Sequence, residues 1–359
     1  MNNKRRKSRK TKSIRAVKRK RRILFLFGAM LLLNLFLLLQ LPRKIQSVDQ
    51  LLGQVQGKVS MLEGDIGIVS SAGGDDMDAI PVTVGIGGVV ADSYADKMGL
   101  EQVDKPKVRT NEEIVSYLKE LGKTNDLIKQ VAEHAGNYPD QLLEALANNP
   151  ELADFADNYL EKKGTVSGEG LTDNEKAHEF PLFLQWDPRW GYASYGDNSV
   201  VGLSGCGPTA LSMVLWYLTG NEDLTPDKIA EYSMKNGYYI SGTGTAWLLL
   251  EDVPRLYGIW VTQPKADANT IKQALDDGDM IILSMGPGDF TIGGHFIVVY
   301  GYTEEGFLVN DPNCVARSRR VWTWEELKDQ IKNMWLFSKT QNKNWTCAGY
   351  NRYSPHERG

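Results

Sequence analysis

The chain has 359 residues, of which 42% are hydrophobic, and a formal net charge of −4. This is enough apolar material for one or two packed domains with accessory segments. Residues 1–22 hold 13 of the 41 basic residues and no acidic one, so the rest carries 28 basic against 45 acidic residues. This acidic remainder excludes nucleic acid as a partner bound by general charge attraction.

An apolar segment follows the basic N-terminal tail. Residues 23–41 form a 19-residue run without a charge, which as a helix is just long enough to span the ~30 Å hydrocarbon core of a bilayer. The sequence around the end of this run, at Pro42, has no small-residue cleavage site. An uncleaved anchor is therefore favoured over a secretory signal peptide. The positive-inside rule then predicts a single-pass protein of the cell membrane, with residues 1–22 cytoplasmic and the C-terminal domain extracellular.

Two segments separate this run from the next predicted helices. Apolar residues recur at spacings of three and four between 45 and 69, which is typical of a helical or coiled-coil stalk over residues 42–69. Two interpretations stay open, a homo-oligomer paired through this stalk and a single frayed helix weakened by its glycines. Residues 70–109 are rich in Gly and Asp and are interpreted as a linker, because their aspartates lack the spacing of a calcium loop.

Residues 110–163 are predicted to form a small helical region. Thr110 and Glu113 match a capping box at its start, and Asn149-Pro150 matches an N-cap followed by a first-turn proline. Two roles stay open for this region: a propeptide-like or substrate-presenting bundle, and a spacer packed on the main domain, which is favoured. Residues 164–178 contain three glycines and mixed charge and are interpreted as a second linker.

The C-terminal part is expected to hold the large core. All nine tryptophans and all three cysteines lie at or beyond residue 186. Helical patterns come first, between residues 206 and 276, and strand patterns follow at 280–284, 295–302, 306–312 and 334–337, with one helix expected at 324–332. This order is typical of an α+β domain with an antiparallel sheet, which we assign to residues 179–339, followed by a polar tail at 340–359.

A cysteine opens the first helix of this domain. Residues 204–208 read Ser-Gly-Cys-Gly-Pro and precede an apolar run, so Cys206 lies at the predicted N-terminus of a buried helix. Unpaired backbone N–H groups and the positive end of the helix dipole favour a thiolate there. Cys206 is therefore a candidate nucleophile, and a buried structural cysteine is the alternative interpretation.

One histidine is placed to act with this cysteine. Of four histidines, only His295 lies on a predicted element of the C-terminal domain, at the start of an apolar strand, and Asp311 ends the next strand. Neighbouring antiparallel strands would bring the two side chains together, so that the carboxylate orients the imidazole. Cys206, His295 and Asp311 thus form a candidate nucleophile, general base and orienting acid.

Four short segments together resemble the papain-like cysteine peptidases of the bacteriocin-processing (double-glycine) type, specifically their stand-alone, single-domain relatives. They are Gln-Trp-Asp-Pro-Arg-Trp at 185–190, Ser-Gly-Cys-Gly-Pro-Thr at 204–209, Gly-His-Phe-Ile-Val at 294–298 and Asn-Asp-Pro at 310–312. The resemblance covers about residues 179–338 and implies a papain-like fold, in which a helical half carrying the nucleophile packs on an antiparallel sheet. It also implies that Gln185 donates to the oxyanion. Cys206 follows Gln185 by 21 positions, a wider spacing than in the transporter-linked members, so a strand-edge contact is the alternative for Gln185.

The implied function is a membrane-anchored extracellular cysteine peptidase that hydrolyses peptide bonds through a thioester on Cys206. Two alternatives stay open: a cell-wall peptide amidase or transpeptidase using the same triad, and a non-catalytic peptide-binding module with a degenerate peptidase fold. The expected partner is a peptide or protein substrate, which includes cell-wall peptide. No metal-ligand spacing or phosphate loop is found in the sequence, so neither a metal nor a cofactor is expected. Cys314 and Cys347 could form a disulfide or remain two free thiols.

Overall fold

The computed structural model describes residues 94–339 of the chain. The predicted basic tail at 1–22, apolar run at 23–41, stalk at 42–69 and polar tail at 340–359 lie outside the described residues. The same holds for the homo-oligomer contact expected through residues 45–69 and for Cys347.

The described chain begins with short helices. They are α1 (Tyr94–Met98), α2 (Asn111–Leu121), α3 (Asp126–Glu133), α4 (Asp140–Asn148), α5 (Ala153–Asp157) and α6 (Tyr159–Lys162), with 3-10 turns at Ala135–Asn137 and Pro150–Leu152. The expected capping box is present, because Thr110 and Glu113 each accept a hydrogen bond from the backbone N–H of the other. Asn149 caps the turn at Pro150 through its side-chain oxygen. Local capping signals therefore set these helix starts.

The remaining residues form helices and two sheets. The helices are α7 (Asp173–Ala177), α8 (Val201–Ser204), α9 (Cys206–Thr219), α10 (Pro226–Asn236), α11 (Leu248–Arg255), α12 (Ala268–Asp276), α13 (Val315–Ser318) and α14 (Trp324–Leu327). The strands are β1 (Tyr239–Ile240), β2 (Gly244–Thr245), β3 (Trp260–Thr262), β4 (Met280–Met285), β5 (His295–Tyr302), β6 (Phe307–Asn310), β7 (Val321–Trp322) and β8 (Ile331–Ser338). β1 and β2 pair as a hairpin, and the others form one sheet in the order β3-β8-β4-β5-β6-β7, with every pairing antiparallel. The predicted mixture of helices with an antiparallel sheet is confirmed.

Helix α9 packs against one face of the large sheet. It is apolar on nearly all sides, which is typical of a helix inside a core. Its buried Leu211 and Val214 share a core cluster with Phe296 of β5 and Trp335 of β8. The helix ends at Gly220, where φ is +65°, a left-handed conformation that glycine adopts without strain. The middle of α9 is therefore held against the sheet by this shared core.

One predicted linker, 70–109, contains a helix. Residues 94–98 form α1, and the reason is tertiary packing. The Tyr94 ring meets Trp186 edge-on with centroids 5.6 Å apart, and its hydroxyl donates to Asp154 at 2.9 Å. Because these partners lie far along the chain, the local composition of the segment could not indicate the helix.

The second predicted linker, 164–178, also contains a helix, α7. Thr172 and Glu175 form a capping box at its start. Glu175 is buried and makes an ion pair with Arg189 at 2.6 Å, and Arg189 also pairs with Asp187 at 2.7 Å. The helix therefore holds a half-buried arginine of the C-terminal part through an ion pair.

Helices α2–α6 share a core with the C-terminal part. Phe155 of α5 is fully buried, and its ring is stacked on Tyr192 with centroids 4.7 Å apart. Gly202 approaches this ring so closely that a β-carbon there would lie 2.4 Å from it. Leu184 and Trp186 belong to the same apolar cluster. Residues 110–163 are thus packed onto the C-terminal part.

This shared core predicts a large effect for Phe155→Ala. The substitution should lower the free energy of unfolding by about 3–5 kcal/mol, because it leaves a cavity where the two parts meet. Denaturant unfolding of the full chain measures the change. Leu160→Ala is the matched control, because Leu160 is 51% exposed and its loss should change stability by less than about 0.5 kcal/mol. A loss below about 1 kcal/mol for Phe155→Ala would contradict the shared core.

The predicted transmembrane helix and single-pass localisation are corrected. Among residues 94–339, no helix is long and apolar enough to cross a membrane. The longest described helix, α9, has 14 residues and is therefore about 21 Å long, against the ~30 Å of a hydrocarbon core. The run at 23–41, on which the prediction depended, lies outside the described residues.

Candidate active site

Cys206 is the first residue of α9 and is half-buried. The turn α8 leads directly into it, and Gly205 lies between the two helices. Gly207 touches the β1–β2 hairpin so closely that a β-carbon would lie 2.8 Å from Thr245. A larger residue at 207 would push the hairpin away from the helix start. The two glycines that flank Cys206 therefore let the start of α9 lie close to Val201 of α8 on one side and to Thr245 of the hairpin on the other.

His295 is the first residue of β5, and Asp311 directly follows β6. The strand register pairs Val298 with Asn310, so the chain after β6 runs back towards the start of β5. His295 Nε2 lies 2.7 Å from Asp311 Oδ1. His295 is 7% exposed and Asp311 is fully buried. The structure thus brings these two predicted site residues together.

Asp311 has further partners that hold it in place. Its Oδ1 also accepts the N–H of Asn313 at 2.8 Å, and its own N–H donates to Ser318 Oγ at 2.8 Å. Its Oδ2 lies 3.5 Å from Arg317 Nη1, and the Arg317 side chain is 5% exposed. A buried carboxylate needs such compensation, because an isolated charge would be expensive to bury.

The charges of this cluster reinforce one another. Burial lowers the pKa of His295. The charge of Asp311, its hydrogen bond to the ring and the presence of Cys206 outweigh this effect and raise the pKa to about 10. Burial raises the pKa of Asp311, but the charges of His295 and Arg317 hold it below its usual value. At neutral pH the imidazole is therefore protonated and the carboxylate ionised. The Cys206 side chain is also among the groups that raise the pKa of His295, so the thiol and the imidazole belong to one cluster.

Residues 177–343 match the model of the Peptidase_C39 like family. The predicted resemblance is confirmed. The matched segment is hereafter the C39-like domain, and it includes Cys206, His295 and Asp311.

Two solved structures are similar to this part of the chain. The peptidase domain of Streptococcus ComA, a bi-functional ABC transporter involved in a quorum-sensing pathway, is 21% identical with a TM-score of 0.31, and the match covers 38% of this chain and 93% of that one. A double-glycine-motif protease from an AMS/PCAT transporter, solved in complex with the leader peptide, is 22% identical with a TM-score of 0.28, covering 38% and 84%. A comparison with curated proteins gives no match.

Gln185, the fourth predicted site residue, lies beside α8, the turn that precedes Cys206. It is 4% exposed, and its side-chain Nε2 donates to the Gly202 carbonyl in α8 at 2.9 Å. Its backbone N–H donates to the Pro312 carbonyl at 2.7 Å. Gln185 thus joins the turn before Cys206 to the loop after Asp311. The contact with Gly202 engages one of the two amide N–H groups, and a role for the other at an oxyanion stays a prediction.

The sequence does not predict the position of Arg317. It is one of three arginines in the stretch Ala-Arg-Ser-Arg-Arg at 316–320, a pattern typical of an exposed turn. Only the fold shows that one of the three is turned inward to Asp311. Cys314, for which a disulfide was considered, is a free and fully buried thiol. Among residues 94–339, no group of three or more potential metal-ligating side chains could hold a metal ion.

Proposed function

We propose that the chain is a cysteine peptidase in which Cys206 is the nucleophile, His295 the general acid and base, and Asp311 the residue that orients the imidazole. The observation that carries this proposal is the buried His295–Asp311 pair, at 2.7 Å, together with a half-buried thiol at a helix start that is among the groups raising the pKa of His295. The match of the surrounding segment to a cysteine-peptidase-like family supports it.

In this proposal the reaction is acyl transfer through a thioester. The Cys206 thiolate attacks the carbonyl carbon of a peptide bond and forms a tetrahedral oxyanion. The His295 imidazolium then gives its proton to the leaving amine as the C–N bond breaks, which leaves a thioester on Cys206. Water attacks the thioester, His295 takes its proton, and breakage of the C–S bond releases the acid and restores the ion pair.

The oxyanion needs donors that are in place before it forms. The N–H of Cys206 is at the first position of α9, where no intrahelical acceptor exists. The second donor we propose is the amide of Gln185, which the Gly202 carbonyl holds against α8. The substrate class we propose is a peptide, in line with the leader peptide bound to the AMS/PCAT protease.

A thiol-reactive peptide probe tests the proposal on the full chain. A peptidyl chloromethyl ketone should alkylate Cys206, and mass mapping should show that His295→Ala slows this labelling at pH 6–7 by at least about 100-fold. The reason is that an unpaired thiol is mostly protonated at this pH. His134→Ala, which removes an exposed histidine of the helical region, should label like the wild type. Equal labelling rates for the wild type and His295→Ala would refute the proposed ion pair between Cys206 and His295.

A further inference from the structure

Glu151 is a buried carboxylate that the proposed reaction does not use. It lies in the 3-10 turn between α4 and α5, and 1% of it is exposed. Its side-chain oxygens accept backbone N–H groups from Val315 at 2.7 Å, Ala316 at 3.0 Å and Leu100 at 3.0 Å. Charge-assisted bonds of this kind are about twice as strong as neutral ones. Glu151 therefore fixes the first residues of α13 from outside the C39-like domain.

Helix α13 in turn holds the orienting acid. Arg317 reaches the Asp311 carboxylate, and Ser318 Oγ accepts the Asp311 N–H at 2.8 Å. The charged and titratable groups that face this cluster are His295 from β5, Arg317 from α13, Glu151 from the 3-10 turn and the Cys314 thiol. A shift of α13 would move both the Arg317 guanidinium and the Ser318 hydroxyl away from Asp311. Glu151 is thus linked to His295 through α13 and Asp311.

The same turn makes a second contact with this part of the chain. The side-chain amide of Asn149 donates to the Asn313 carbonyl, and the indole N–H of Trp186 donates to the same oxygen at 2.9 Å. The segment 313–316 is therefore held by the N-cap of the 3-10 turn, Asn149, and by Glu151 within the turn. Glu151 accepts two backbone N–H groups of this segment, whereas Asn149 donates one hydrogen bond to it, so the loss of Glu151 should have the larger effect.

We propose that Glu151 is a positioning residue for the His295–Asp311 pair. It fixes the position of α13, and α13 places Arg317 and Ser318 against Asp311. The inference rests on the proposed function, since it concerns the same Cys206–His295–Asp311 cluster. It gives residues 110–163 a part in the active site, although the family match begins only at residue 177. The helical region is then neither a removable propeptide nor an indifferent spacer.

The test is the pH profile of Cys206 alkylation by iodoacetamide in the full chain, read by mass spectrometry of the Cys206 peptide. Glu151→Gln keeps the size of the side chain but loses its charge and turns an amide N–H towards backbone donors. We expect alkylation at pH 5–6 to slow about tenfold, because a misplaced imidazolium stabilises the thiolate less. The rate at pH 10 should stay unchanged, because any accessible thiol is ionised there. Glu133→Gln, which changes an exposed carboxylate of α3, should reproduce the wild-type profile.

The buried Cys314 thiol reports whether the variant is folded. Burial also raises the pKa of this thiol, so it should resist iodoacetamide in every folded variant. If Glu151→Gln labels Cys314, Glu151→Asp becomes the decisive variant, with an expected slowing of about threefold at pH 5–6 because its carboxylate is one methylene shorter. A folded variant with the wild-type profile would overturn the positioning role alone. A wild-type Cys206 without reactivity at pH 5–6 would instead overturn the proposed function.

Discussion

The Cys206→Ala variant is expected to hydrolyse peptides at least about 10⁴-fold more slowly than the wild-type chain. Alanine cannot form the thioester, and the other described thiol, Cys314, is fully buried and cannot replace it. The measurement is turnover of a mixed peptide library by the full chain, with both proteins at the same concentration. A library is appropriate because specificity depends on the shape of the substrate pocket and not on the nucleophile.

Two controls separate the loss of chemistry from a loss of folding. Cys206→Ala should keep its free energy of unfolding within about 1 kcal/mol of the wild type, since a half-buried thiol is replaced by a good helix former. Cys347→Ala, a cysteine substitution outside the described residues, should keep full turnover. If Cys206→Ala retained more than about one tenth of the activity, another group would have to be the nucleophile.

The three central site residues could be predicted because local sequence determines their positions. Cys206 is placed by the glycines on either side of it and by the apolar helix that follows. His295 and Asp311 lie on consecutive strands joined by a turn at 303–306, and such strands pair as neighbours in most antiparallel sheets. The contact between imidazole and carboxylate follows from this topology alone. It needs no knowledge of the rest of the fold.

The residues that surround this contact could not be predicted. Arg317 follows Asp311 by six residues, but its side chain is distinguished from those of Arg319 and Arg320 only by where α13 points it. Glu151 resembles an ordinary acidic residue in a first helical turn, yet its hydrogen-bond partner Val315 lies 164 residues further along the chain. Both roles depend on how the helical region packs on the sheet, and that packing has no local signature.

The bounds of some secondary-structure elements also differ from those that the sequence predicts, and the differences have physical reasons. The final helix was expected over 324–332, but α14 ends at Leu327 because Ile331 already pairs with Met285 in the sheet. The β1–β2 hairpin has two residues in each strand, too few for an alternating pattern to be visible. This hairpin nevertheless lies against Gly207, the residue after Cys206, so the sequence predicts the reactive groups of the site but not all of the elements around them.

The Asp311→Asn variant is expected to reduce kcat/KM by roughly 10²- to 10⁴-fold. Asparagine keeps the shape of the side chain, but it removes the anion that holds the His295 proton and leaves Arg317 buried without its counter-ion. The charge of Asp311 is one of the causes that raise the pKa of His295 to about 10. Without it burial lowers the pKa, so the imidazolium is lost at lower pH. The alkaline limb of the pH–rate profile should therefore move towards acid.

Stability gives the second measurement of this variant, with a sign that follows from the same pKa. In the wild type the pKa of His295 is higher in the folded than in the unfolded state, where it is about 6.5. Its contribution to stability is therefore complete below pH 6.5 and lost as the pH rises towards 10. In Asp311→Asn the free energy of unfolding should fall less over this range than in the wild type, whereas Asp329→Asn, which changes an exposed carboxylate, should follow the wild-type curve. Parallel curves for Asp311→Asn and the wild type would mean that Asp311 does not hold the proton on His295.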